Sequence, residues 1–306
     1  MKTNIKKSLL FVGLNFFISY AFIFSYFALG GKWLSSGTIF VAPIYMFMPA
    51  LAAVVVQKFV YKEPLKEPLG ISWRVNRWWL VAWLLPPAAA FAALGISLLL
   101  PDVHYSPQMT GLLERFRAVI PAEQLQRAQK QMDSFPIHPF WMGLLMGLVA
   151  GPTVNAIAGF GEELGWRGFL QRELGFLGFW KSSALIGFIW GLWHAPIILQ
   201  GHNYPQHRIA GVFMMTAFCV LLAPIFSYVR LKAKSVIAAA IIHGSLNATA
   251  GVAIAVIEGG SDLTVGLSGL AGFITLAVIN LGIFAYERFV AGEPLIPTQI
   301  GDVTCR

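Results

Sequence analysis

Residues 140–172 read FWMGLLMGLVAGPTVNAIAGFGEELGWRGFLQR, and this stretch decides the fold. From Phe140 to Gly161 no side chain is charged. A membrane-spanning helix needs about 20 mostly apolar residues, so this run suffices to cross a bilayer. Glu162 and Glu163 follow at once, yet the apolar character resumes at Gly168-Phe169-Leu170 and stops only at Arg172-Glu173. If the helix continues to about 172, Glu162 lies roughly 15 Å below its end, at a rise of about 1.5 Å per residue. Ionisable groups at such depth are costly and mark function by default. The alternative puts both acids at a solvated helix end.

Working outward, seven more stretches qualify as spans, near 8–29, 37–57, 78–100, 179–199, 209–229, 235–257 and 265–286. The expected fold is therefore all-α, a polytopic membrane bundle of about eight transmembrane helices forming a single domain over 1–306. Composition agrees: 57% of the 306 residues are apolar and 12% charged, with a mean hydropathy of +0.68. Soluble domains carry roughly 25% charged residues, so this chain lacks the polar side chains to coat a water-facing surface.

The net charge of +8 comes from short basic clusters between apolar runs. That pattern fits membrane lipid headgroups as partners, and nucleic acid is not expected. Sixteen of the 22 Lys and Arg residues fall on one side if the N-terminus is inside. The bias puts both termini in the cytoplasm. The run after Lys6-Lys7 extends to about Leu29, too long for a signal-peptide core, and reads as a retained anchor. Trp73, Trp78 and Trp79 beside Arg74 and Arg77 look like an interfacial anchor. Cys219 reads as a core thiol and Cys305 as a free tail thiol.

The one long connection, 101–138, places Leu125, Ala128, Met132 and Phe135 at three- and four-residue spacing. Glu123, Arg127, Lys130 and Asp133 fall between them, as in an extracytoplasmic amphipathic helix lying on the membrane or the bundle. No inverted internal repeat is evident.

Three polar groups interrupt the spans. On the fourth, Glu163 and Arg167 are four apart and share a face, so they can pair. Glu162 is rotated by about 100° and should not use that partner. On the fifth lies Trp190-Gly191-Leu192-Trp193-His194. On the seventh, His243 and Asn247 stand one turn apart on one face, with Gly244 and Ser245 permitting close helix contact. Taken singly, each histidine fits a packing role, and His243 with Asn247 fits an interhelical hydrogen-bonding pair. Together they supply a carboxylate able to act as base, a histidine to hold water, and a histidine and carboxamide to donate to an oxyanion. These are the parts for hydrolysing an amide with activated water. No Gly-x-Ser-x-Gly or His-Glu-x-x-His occurs, although two histidines and a glutamate from separate helices can ligate a metal.

At these residues the sequence resembles the CPBP (Abi) family of CAAX prenyl endopeptidases and bacteriocin-processing membrane proteins. That family is marked by Glu-Glu-x-x-x-Arg, Phe-x-x-x-His and His-x-x-x-Asn/Asp/Ser on successive core helices. Here these are Glu162-Glu163 with Arg167, Trp190 with His194, and His243 with Asn247. Trp190 stands where phenylalanine is usual, an aromatic that keeps the packing role.

The resemblance implies an intramembrane endopeptidase with its catalytic core over 140–257. Glu162 and His194 would activate water, and His243 and Asn247 would stabilise the oxyanion. Glu163 and Arg167 would support the first motif. Its substrates would be membrane-bound peptides or proteins, including prenylated CAAX-type ones. It leaves two cofactor readings: no required metal, which is the expectation here, or a divalent metal such as zinc on Glu162, His194 and His243. A bacterial plasma-membrane location is expected. The competing functions are a non-catalytic bacteriocin-immunity protein on the same fold and a proton-coupled transporter.

Overall fold

The computed structural model describes residues 5–33, 35–109 and 136–291, with isolated positions between 110 and 135. Most of the expected amphipathic connection therefore lies outside the described residues, as does Cys305.

The chain is a helical bundle. Its elements are α1 (Ile5–Ala28), α2 (Thr38–Val60), α3 (Arg77–Ser97), β1 (His104–Tyr105), α4 (Pro139–Glu173) and α5 (Phe179–Trp193). They continue with the single turn α6 (Ala195–Ile198), α7 (Arg208–Ala233), α8 (Val236–Ile254), β2 (Ile257–Glu258) and α9 (Leu270–Phe289). All eight expected stretches are helical. Among the described residues six helices are long and apolar enough to cross a membrane: α1, α2, α3, α4, α7 and α9.

Two helices depart from the expected bounds. α4 continues unbroken past Gly161 to Glu173, which keeps both glutamates inside it. The fifth, expected to run to 199, breaks at His194, and the chain turns into α6 with Pro196 in its first turn. Proline lacks an N–H and disfavours helical backbone in the residue before it. The break leaves carbonyls exposed in the bundle interior, where water is scarce. Tyrosines from other helices satisfy them: Tyr20 of α1 donates to Leu192 O at 2.8 Å, and Tyr45 of α2 donates to Trp193 O at 2.8 Å.

α8 is the enclosed helix, packed against α3, α4 and α7. Small residues let α4 approach it closely. A Cβ at Gly244 of α8 would stand 2.3 Å from Gly151 O and 2.4 Å from Ala156 N. One at Gly159 would stand 2.9 Å from Ala240 O. On its other side α4 meets α2 through Gly161 and Gly165, against Met46, Phe47 and Pro49. Outward, Phe17, Phe40, Leu145, Phe213 and Leu281 form an exposed apolar belt. Such a surface suits lipid tails and not water. Cys219 is a buried free thiol, as its run suggested.

Charge gathers at the bundle's ends. Buried Lys7 of α1 bonds Glu63 at 2.6 Å and Glu173 at 3.3 Å, and Arg172 reaches Glu63 at 3.0 Å. Burial alone would raise the Glu63 carboxyl, but the bonds from Lys7 and Arg172 outweigh it and hold the group below its ordinary value. At the opposite end β1 pairs antiparallel with β2, His104 facing Glu258. There Asp262 accepts from Gln206 N at 2.8 Å and meets His207 Nδ1 at 2.6 Å.

Candidate active site

The close α4–α8 contact brings the first and third motifs together. Gly159 lies one turn before Glu162 and Glu163 on α4, and its added Cβ would touch His243 Cβ at 3.1 Å. The absence of a side chain there is what lets the imidazole reach the glutamates.

Glu163 is the fully enclosed member. Arg167 Nη1 donates to its Oε1 at 3.1 Å, and neither side chain is exposed. His243 Nδ1 lies 2.8 Å from the same oxygen. A carboxylate can only accept, so Nδ1 carries the proton. Arg167 is also stacked, its Cζ lying 4.4 Å from the Trp190 ring centroid and 5.1 Å from that of Phe226. An aromatic face is one of the few apolar surfaces that attracts a desolvated guanidinium.

Glu162 is 2% exposed. Its Oε2 accepts from Trp190 Nε1 at 2.6 Å. Its Oε1 lies 3.8 Å from His243 Nε2. The rotation between adjacent glutamates does deny Glu162 the Arg167 partner. It does not prevent a shared one, because the imidazole arrives from another helix and carries nitrogens on two edges.

His194 caps α5, with its Nδ1 2.8 Å from Trp190 O. A carbonyl accepts, so this nitrogen also carries hydrogen and leaves Nε2 for other contacts. The ring is buried and packs edge-on to Trp193 at 4.9 Å. Tyr45, stacked on Trp193 at 4.2 Å, braces it from behind. Trp190 thus joins the two motifs, its indole on Glu162 and its carbonyl on His194. That bonding role went unforeseen from the sequence, where Trp190 reads as packing. The departure from phenylalanine was the one available signal.

Asn247 sits one turn beyond His243 on α8 and is exposed. It makes no side-chain hydrogen bond to Glu162, His194 or His243; the structure sets Glu162 3.8 Å from His243 and links His194 to Glu162 only through Trp190. Among the described residues no three His, Cys, Asp or Glu side chains are grouped to hold a metal ion.

Chemically, two acids, an arginine and an imidazole share one buried cluster. Two carboxylates face a guanidinium and an imidazole, a pairing that makes burial of four such groups tolerable.

No curated protein matches the chain significantly. Residues 136–249 match the model of the Rce1-like family, type II CAAX prenyl endopeptidases. The matched span contains Glu162, Glu163, Arg167, Trp190, His194, His243 and Asn247. The chain is thus an integral membrane protein whose residues 136–249 are similar to the Rce1-like family of type II CAAX prenyl endopeptidases.

Proposed function

We propose that this chain is an intramembrane endopeptidase in which Glu162 activates water against a peptide bond of a membrane-associated substrate, prenylated CAAX-type C-termini included. The observation that carries the reading is the arrangement of His243, bonded to Glu163 on one edge and facing Glu162 across 3.8 Å on the other.

Each group then has one task. Glu162 takes a proton from water held between it and His194 Nε2. The water oxygen bonds to the scissile carbonyl carbon, and the carbonyl π pair moves onto oxygen. His243 Nε2–H and the Asn247 amide donate to that oxyanion as charge develops on it. Collapse of the tetrahedral intermediate breaks the C–N bond, and the proton on Glu162 passes to the leaving amine. Glu163 and Arg167 hold the imidazole in place and touch no reacting atom.

Both termini are assigned to the cytoplasmic side from the Lys and Arg bias, with a bacterial plasma membrane as the setting. Substrate reaches the site at exposed Asn247, from the membrane or its cytoplasmic surface.

The test is cleavage in liposomes of a farnesylated CAAX-type peptide and a set of short membrane-anchored peptides. Wild type should cleave at least one, and Glu162→Gln should lower kcat by about a thousandfold or more. Equal cleavage by Glu162→Gln would overturn the reading. Cleavage of none of the peptides would favour the immunity or transport functions.

A further inference from the structure

We propose that Trp190 is a positioning residue for the catalytic carboxylate: its indole N–H fixes Glu162 Oε2, so that Oε1 is the oxygen offered to water. The inference rests on the proteolytic reading of Glu162 and goes beyond it, because the aromatic of this motif otherwise serves only to pack.

A glutamate side chain has three rotatable bonds, and in a dry interior few groups restrain it. Here a short contact does so, Nε1 to Oε2 at 2.6 Å, within the range of charge-assisted hydrogen bonds. Phenylalanine, the usual residue at this position in the resembled family, has no donor to offer. The other oxygen faces His243 Nε2 at 3.8 Å. The two oxygens therefore differ, one tied and one presented.

The indole is itself immobilised. Trp190 is 2% exposed. Arg167 covers its ring at 4.4 Å and Phe226 packs at 5.8 Å. Its carbonyl accepts from His194 Nδ1 at 2.8 Å, so the backbone that aims the indole also aims the second catalytic imidazole. One residue thereby sets the relative placement of Glu162 and His194. Holding reacting groups within a few tenths of an ångström is a large part of catalytic rate.

The experiment replaces the N–H and nothing else. Trp190 is exchanged for its benzothienylalanine isostere, which has sulfur in place of N–H, and separately Trp190→Phe is made. Kinetics use the peptide that wild type cleaves. Both variants should lose about ten- to a hundredfold in kcat, the worth of a charged hydrogen bond, with KM within about twofold. Full activity of the isostere overturns the proposal, as does loss in Trp190→Phe alone, which would mean that ring volume matters and the donor does not.

A second readout needs no turnover. Dicyclohexylcarbodiimide labelling, followed by peptide mass spectrometry, should rise severalfold at Glu162 in the isostere and stay unchanged at Glu287. Unchanged labelling at Glu162 overturns the contact. Glu162→Gln run in parallel separates the two ideas. If it cleaves like wild type the proteolytic reading falls, while labelling still decides whether Trp190 holds the carboxylate.

Discussion

His243 Nδ1 lies 2.8 Å from Glu163 Oε1, on the oxygen that also takes the Arg167 guanidinium at 3.1 Å. Glu163 therefore ties α4 to α8 while neutralising a charge that has no access to water. Its neighbour Glu162 meets the same imidazole from the other edge without that burden.

The two glutamates should accordingly fail differently. Glu163→Gln leaves Arg167 buried without its counter-charge, a loss of about 3–5 kcal/mol. Glu162→Gln keeps an acceptor for Trp190 and leaves the Arg167 counter-charge in place, so it should cost less than Glu163→Gln while abolishing cleavage. Thermal unfolding in detergent measures both, and a Glu163→Gln variant as stable as wild type contradicts the assignment.

The α4–α8 approach should be intolerant of one methyl group. Gly244→Ala would place a Cβ 2.3 Å from Gly151 O, and overpacking of this kind costs about 1–3 kcal/mol. Cleavage should fall with it, since the same contact delivers His243. Gly251→Ala on the same helix meets nothing within 4 Å and serves as the neutral control.

Asn247→Ala should separate catalysis from stability. The residue is exposed and unbonded to the cluster, so unfolding should shift by no more than about 0.5 kcal/mol. Loss of an oxyanion donor lowers kcat by about a hundred- to a thousandfold. A small effect on kcat would place the oxyanion elsewhere.

Acid should loosen the end of the bundle at Lys7. The Glu63 carboxyl is held below its ordinary value of 4.5, so its contribution is present above that pH and is lost as pH falls through the lower folded value. The side chain is 39% exposed, and solvent screening keeps the effect below about 1 kcal/mol. Unfolding followed from pH 6 to pH 3 should show Glu63→Gln with a flatter acid limb. Parallel limbs for the two proteins would count against it.

Chelation gives the last prediction. With Glu162 as the base, 1,10-phenanthroline should leave kcat unchanged. Inhibition reversed by added zinc would instead make Glu162, His194 and His243 candidates for ligands that gather when metal binds.

Much of this was legible locally. Hydropathy over 20-residue windows marks where the long apolar helices lie, and the Glu163–Arg167 pair follows from four-residue spacing on one helix. What failed was reasoning confined to one element. The 100° between Glu162 and Glu163 limits partners on α4 but says nothing about a ring arriving from α8. The fifth span reads as continuous because Trp193-His194-Ala195-Pro196 remains apolar around its histidine. Its break is tolerated only because Tyr20 and Tyr45, 172 and 148 residues away, cap the freed carbonyls.

The sequence by itself determined that this chain is a membrane bundle carrying acids, histidines and an arginine within its spans. Transfer of apolar helices into lipid is a property of each stretch, nearly independent of the others. The meeting of those groups was decided by tertiary structure. Glycines at 151, 159 and 244 set how closely two helices approach, and only that distance makes His243 the common neighbour of both glutamates. Trp190 shows the same division. Its identity is written in the chain, but whether its N–H faces a carboxylate depends on how α5 is rotated against α4.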